Sequence, residues 1–182
     1  QLQIGEDSLL MIKKNTLVFD FDGTLVDSNH IKYNCFFLST KNYKEHHAKL
    51  NDIISNNINF DRYDTIREFG KQVKISNKEV ENLILSYNTL LTKQIYEAKE
   101  IKGSSEIINI ANKHKMNIYI NSATPILELK KTVRHRRIAI LDENIFGKPN
   151  SKIKNMQEIL CKEKDKSHIL FVGDGILDKQ CA

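Results

Sequence analysis

The spacing of apolar residues changes twice along the chain and divides it into three stretches. Between residues 13 and 27, Leu17-Val18-Phe19 is a short unbroken apolar run, with the length and residue types of a strand buried in a parallel sheet. From Ser28 to about Lys99 no such run occurs, and helical spacings take over. Ile31, Cys35, Phe36 and Leu38 suit one helix, and Tyr63, Ile66, Phe69 and Val73 suit another. Ser76 with Glu79 reads as a capping box that opens a long helix through Val80, Leu83, Ile84, Tyr87, Leu90, Leu91 and Ile95. The stretch thus predicts an all-helical insert of about 70 residues, the size of a small bundle.

After Gly103-Ser104-Ser105 the pattern alternates. Glu106 to Lys115 predicts a short amphipathic helix, and Asn117-Ile118-Tyr119-Ile120 a second strand that ends at Asn121-Ser122-Ala123-Thr124-Pro125. Pro125 lies near the first turn of a helix over Ile126 to Val133. Residues 134 to 146 carry no decisive pattern; Ser151 to Glu163 predicts a helix, and Ile169-Leu170-Phe171-Val172 a third strand running into Gly173-Asp174-Gly175. Strands alternating with helices predict the α/β class, a Rossmann-like doubly wound parallel sheet. The expected core is discontinuous, residues 11–27 and 100–182, with the inserted α-helical domain over 28–99.

Composition changes this picture little. The chain has 182 residues, enough for one core with a modest insert. Its net charge of +5 favours anionic substrates weakly through long-range attraction. It does not point to nucleic acid: the basic residues are spread out, and the densest run, Arg134-His135-Arg136-Arg137, is short. Cys35, Cys161 and Cys181 are odd in number and widely spaced, which reads as reduced thiols in a cytoplasmic protein. No apolar run approaches the roughly 20 residues of a membrane span, and Leu9-Leu10-Met11-Ile12 is too short for a signal segment, with Met11 a possible native start. His46-His47 lack a third ligand at useful spacing for zinc, and His114, His135 and His168 read as surface or capping residues.

The chemistry gathers at the strand ends. Asp20 and Asp22 follow the first strand, two residues apart on near-extended backbone, so both side chains can reach the same side. In open α/β sheets ligands bind beyond the carboxyl ends of strands, where these two fall. Gly23 permits the tight exit that turns the following amides inward. Asp174 and Asp178 follow the third strand, and carboxylate oxygens are what a hard, octahedral divalent cation takes.

The segment Val18 to Ser28 resembles motif I of the haloacid dehalogenase superfamily, aspartate-nucleophile phosphotransferases, in its D-x-D-G-T-[LV]-x-D-S form. Ile120 to Pro125 resembles motif II, which nominates the Ser122 hydroxyl, and Gly173-Asp174-Gly175-Ile176-Leu177-Asp178 resembles the acidic motif IV. For the motif III lysine two matches compete. Phe146-Gly147-Lys148-Pro149 has the common G-K-P form, whereas Gly147 to Lys152 resembles a G-x-P-x-x-K branch whose last lysine opens a helix. The shorter interval from Lys152 to Asp174 holds a helix, a turn and a strand without slack, so Lys152 is preferred and Lys148 is the alternate; either ammonium would meet phosphate as a point charge. The branch resembled is that of phosphoglycolate phosphatase and β-phosphoglucomutase, with a helical C1-type cap, the role this implies for residues 28–99. Asn29, His30 and Lys32 would open that cap and are weak candidates for substrate contact.

The resemblance implies a reaction. Asp20 would attack phosphorus, and Asp22 would protonate the leaving alkoxide and later deprotonate the hydrolytic water. Mg²⁺ would be held by Asp20, Asp22 and Asp174 with Asp178 in support. The amides of Phe21 and Ala123, the Ser122 hydroxyl and the lysine would hold the phosphate oxygens. The expected substrate is a small phosphorylated metabolite. Asp22 favours phosphate esters over carbon–halogen bonds, but a phosphomutase of the β-phosphoglucomutase type would share these residues. The chain stops four residues after Asp178, where superfamily members usually continue with a further helix and strands. The resemblance therefore predicts a C-terminally truncated core, and a non-catalytic binding module is the reading from another class.

Overall fold

The structure, a computed structural model, describes residues 15–57, 60–163 and 166–182. Leu9 to Ile12, and residues 11–14 of the expected core, lie outside the described residues. The chain divides into two compact units, Gln1–Ser28 with Ala98–Ala182, and Asn29–Glu97.

The first unit is built on a four-stranded sheet in the order β3-β2-β1-β4, with β1 at Thr16–Phe19, β2 at Asn117–Pro125, β3 at Ile145–Lys148 and β4 at Ile169–Val172. All three pairings are parallel, and Phe19 lies between Ile120 and Val172. The four residues of β1 are buried, so both faces of the central strand are covered, as its unbroken apolar run requires. One face carries Val18, Tyr119, Phe146 and Phe171, packed on Met156 and Ile159 of a helix over Lys152–Lys162. Helices over Ser104–Lys113 and Ile126–His135 also pack on β2. In chain order the helices of this unit are α5 (Ser104–Lys113), α6 (Ile126–His135), α7 (Lys152–Lys162) and the short α8 (Ile176–Cys181).

β3 departs from the sequence expectation of three strands. Its burial alternates between buried and half-buried over four residues that include a glycine and a lysine, so no apolar run announces it. β2 is also longer than expected, continuing through Asn121-Ser122-Ala123-Thr124-Pro125 with a register shift against β3 between Asn121 and Pro125. At the opposite end of the sheet, the Glu163 carboxylate beyond α7 accepts hydrogen bonds from Thr16 Oγ1 (2.7 Å), Tyr119 Oη (2.7 Å) and Asn117 Nδ2 (3.1 Å), joining β1, β2 and α7.

The second unit is helical: α1 (Asn29–Ser39), α2 (His47–Asn56), α3 (Arg62–Val73) and α4 (Asn77–Glu97), with a 3₁₀ segment at Lys41–His46. α1 packs on α4 through Phe36 and Tyr87, whose ring centroids are 4.7 Å apart, and the Tyr87 hydroxyl donates to the Lys32 carbonyl at 3.2 Å. Asp61 caps α3 in a capping box with Asp64, and Ser76 and Glu79 exchange the hydrogen bonds of the expected box before α4. Leu38 does not join this core. It is 47% exposed, because α1 turns Ile31, Cys35, Phe36 and Ser39 inward. Among the described residues no helix is long and apolar enough to cross a membrane.

Candidate active site

The carboxyl ends of β1, β2 and β4 place their next residues side by side. Asp20 continues β1, and its amide donates to the Val172 carbonyl at 2.9 Å, so it is held at the sheet rim with 4% exposure. The chain then turns sharply: the Phe21 carbonyl accepts from the amides of Leu25 and Val26, and Gly23, at φ 80°, donates to the Val26 carbonyl at 2.7 Å. A side chain at Gly23 would meet the left-handed backbone penalty. The loop is tied down by the Leu25 carbonyl, which accepts from the Ile101 amide (3.1 Å) and the buried Ser104 hydroxyl (3.0 Å).

Lys152 is the first residue of α7, after Ser151, whose hydroxyl caps the helix by accepting from the Lys154 amide. A lysine opposes the positive end of a helix dipole, and this one is also 9% exposed. Two carboxylates offset both costs: Lys152 Nζ donates to Asp20 Oδ1 and to Asp178 Oδ1, each at 2.6 Å. A buried amide relay fixes the backbone beneath it. Asn121 Nδ2 donates to the Lys152 carbonyl at 2.9 Å, and Asn155 Nδ2 to Asn121 Oδ1 at 3.2 Å. Lys148 lies half-buried in β3, and the ammonium that pulls on Asp20 is that of Lys152.

Asp178, in the first turn of α8, is buried, and its second oxygen accepts from the Gly175 amide at 2.9 Å. Asp174 is exposed on the turn after β4. One carboxylate oxygen each from Asp20, Asp174 and Asp178 lie within 4.8 Å of one another. That all-oxygen set suits a hard divalent cation such as Mg²⁺. The Asp22 carboxylate, expected among the metal ligands, is not in this group. Its Oδ1 accepts from Ser28 Oγ (2.6 Å) and its Oδ2 from Thr124 Oγ1 (2.8 Å), which turns the side chain toward those hydroxyls. Asp178, expected as outer support, also has an oxygen within that distance.

Burial pushes the Asp20 carboxyl up to about 6, with the Lys152 ammonium pulling it back down. For Lys152, burial favours the neutral amine, but the Asp20 and Asp178 carboxylates outweigh it and hold the group charged. Ser122, 1% exposed, sits on β2 with its oxygen accepting from the Thr124 amide at 3.1 Å, which leaves its proton to be donated elsewhere. Ala123 is exposed beside it. Asn29, His30 and Lys32 fall in the first turn of α1, in the helical unit.

Residues 17–182 match the haloacid dehalogenase-like hydrolase family. The chain belongs to the haloacid dehalogenase-like hydrolases. Solved structures resemble this haloacid dehalogenase-like fold across most of its length. A candidate phosphatase from Clostridium difficile shares 21% identity at a TM-score of 0.68, covering 92% of this chain and 80% of that chain. CbbY from Rhodobacter sphaeroides, a variant in complex with xylulose-1,5-bisphosphate, shares 12% at a TM-score of 0.66, covering 92% and 83%. A candidate hydrolase from Bacillus subtilis, YfnB, bound to magnesium, shares 15% at a TM-score of 0.63, covering 92% and 84%. No curated protein sequence matches the chain. Sequence reasoning passed over Asn121, Thr124 and Asn155 as site residues. Asn121 and Asn155 are each buried; Asn121 directly follows the apolar run Ile118-Tyr119-Ile120, which was the available signal, whereas Asn155 lies between Lys154 and Met156 with no such mark.

Proposed function

We propose that this haloacid dehalogenase-like hydrolase is a magnesium-dependent phosphatase acting on a small phosphomonoester. The observation that carries the reading is the joint placement of a buried carboxylate, Asp20, against the Lys152 ammonium, with a second carboxylate, Asp22, held separately two residues on. A site that only binds phosphate has no use for a buried acidic side chain, whose charge would repel the ligand. A site that transfers phosphate needs one as nucleophile.

In this reading an Asp20 oxygen attacks phosphorus in line, and the bond from phosphorus to the ester oxygen breaks. The leaving oxygen takes a proton from Asp22. Asp22 then accepts a proton from water as that water attacks the aspartyl phosphate, which releases inorganic phosphate and restores Asp20. The Lys152 ammonium, the Ser122 hydroxyl and the amides of Phe21 and Ala123 meet the phosphate oxygens, so that catalysis is mostly positioning and charge neutralisation. Asp20, Asp174 and Asp178 would hold Mg²⁺. When bound, the ion offsets the repulsion between these carboxylates and a phosphate dianion. The helical unit, Asn29–Glu97, would serve as a cap that excludes water and selects the substrate. The cytoplasm is the expected compartment, given three free cysteines.

The test is phosphate release from a panel of sugar phosphates, phosphoglycolate and nucleotides, with Mg²⁺ and with EDTA. The parent should release phosphate from at least one ester only with the metal present, and Asp20→Asn should release none. Equal turnover by Asp20→Asn and the parent would refute the nucleophile.

A further inference from the structure

Asp22 is gripped from two chain segments. Ser28 Oγ reaches its Oδ1 at 2.6 Å from within the same loop, and Thr124 Oγ1 reaches its Oδ2 at 2.8 Å from the far end of β2. Ser28 is fully buried and Thr124 is half-buried. One donor would leave the carboxyl group free to rotate about its bond to Cβ. Two donors, one on each oxygen and from separate elements, fix the plane of the group as well as its position.

Thr124 has a second link. Its backbone amide donates to Ser122 Oγ at 3.1 Å, so one residue orients the hydroxyl assigned to the phosphate through its main chain and the acid–base carboxyl through its side chain. Its own backbone is fixed by the packing of β3. A Cβ built at Gly147 would stand 2.5 Å from the Thr124 carbonyl oxygen and 3.1 Å from Ile126 Cα, so β3 lies directly against this end of β2. The strand therefore has little freedom to carry Thr124 away from Asp22.

We propose that Thr124 is a positioning residue for proton delivery: its hydroxyl aims the Asp22 carboxyl group at the leaving oxygen, while its amide aims Ser122. The inference rests on the acid–base role of Asp22 in the phosphatase reading. It assigns Thr124 no contact with substrate. A misaimed acid matters in proportion to how much the leaving oxygen needs a proton. An alkoxide needs one badly, whereas p-nitrophenolate departs readily without it.

Thr124→Val keeps the backbone amide and the β-branched shape while removing the hydroxyl, and Thr124→Ser keeps both links. The experiment compares kcat/KM for p-nitrophenyl phosphate and for an alkyl phosphate taken by the parent, in parent, Val and Ser variants. General acid catalysis contributes about 10²–10⁴-fold. Thr124→Val should therefore lose about tenfold or more on the alkyl ester and about threefold or less on the aryl ester, and Thr124→Ser should restore the alkyl rate. Equal loss on both esters would overturn the proposal by making Thr124 a binding or packing residue, and no loss on either would overturn it outright. Failure of the parent to hydrolyse either ester would instead count against the phosphatase reading. Unfolding midpoints of the variants separate either result from misfolding.

Discussion

Removing the ammonium of Lys152 tests the electrostatic design of the site without needing a substrate. Lys152→Met keeps the length and the apolar stem of the side chain and deletes the charge. Two hydrogen bonds of 2.6 Å disappear, and the Asp20 and Asp178 carboxylates, both nearly buried, are left facing each other. Breaking a buried ion pair by deleting one partner costs about 3–5 kcal/mol. The Asp20 share can be worked independently: its carboxyl group escapes by taking up a proton, and from the parent value of about 6 that costs about 1.4 kcal/mol per pH unit, or about 2 kcal/mol near pH 7.5. Near pH 5 Asp20 is already mostly protonated in the parent, and the same escape costs little. The sign follows from proton counts. With the folded-state value of Asp20 raised above the unfolded one, the folded variant binds more protons than the unfolded chain, so its stability falls as pH rises through this window. Urea unfolding in EDTA, followed by far-ultraviolet circular dichroism, should therefore show Lys152→Met about 2–4 kcal/mol less stable than the parent near pH 7.5 and about 1 kcal/mol or less near pH 5. Excess Mg²⁺ should recover part of the deficit, since an ion on the same carboxylates stabilises the folded state. Lys148→Met is the comparison, with a change below about 1 kcal/mol. A Lys152→Met deficit under about 0.5 kcal/mol near pH 7.5, or one that grows as pH falls, would refute the reasoning.

Two further substitutions probe the supports of the site. Glu163→Ala removes the acceptor shared by Thr16, Asn117 and Tyr119 and should destabilise the protein by about 1–3 kcal/mol near pH 7 in urea unfolding. Burial pushes the Glu163 carboxyl up, but those donors together hold it below its usual value, so its contribution is present above about pH 4.5 and fades as pH falls through the folded value; the parent and variant should converge in acid. Gly173→Ala would drive a methyl group into the Cβ and Cγ of Asp178 and to within 2.6 Å of its Oδ2. It should cost about 1–3 kcal/mol and weaken Mg²⁺ binding by calorimetry, and an unchanged affinity would mean that Asp178 does not contribute to the ion.

The parts of the site legible in the sequence are those that local pattern dictates. Leu17-Val18-Phe19 followed by two aspartates identified a central strand and its working end, because a strand covered on both faces must be apolar throughout. The helical insert showed in its three- and four-residue spacing. Less legible was whatever depends on neighbours distant in sequence. β3 is too short and too mixed to read, and its place beside β2 comes from pairing. Lys152 is preferred to Lys148 on its shorter interval to Asp174 and on opening a helix, but that Asn121 and Asn155 hold the backbone at that helix start was not legible. That the Asp22 carboxyl group meets Ser28 and Thr124 was not legible, because nothing in the sequence brings those two residues together with it.

The sheet order has a consequence for how the molecule comes to be made. β1 pairs with β2, roughly 100 positions later, and with β4, roughly 150 positions later. As the chain leaves the ribosome, the three apolar side chains of β1 must therefore wait for their first neighbour until β2 has emerged, and for their second until β4 has. Helices over Asn29–Glu97 can find one another in the meantime, since their contacts are closer in sequence. Nascent chains should accordingly acquire protease-resistant helical structure first, and should be most prone to aggregate, and most dependent on chaperones, in the interval before β4 is synthesised.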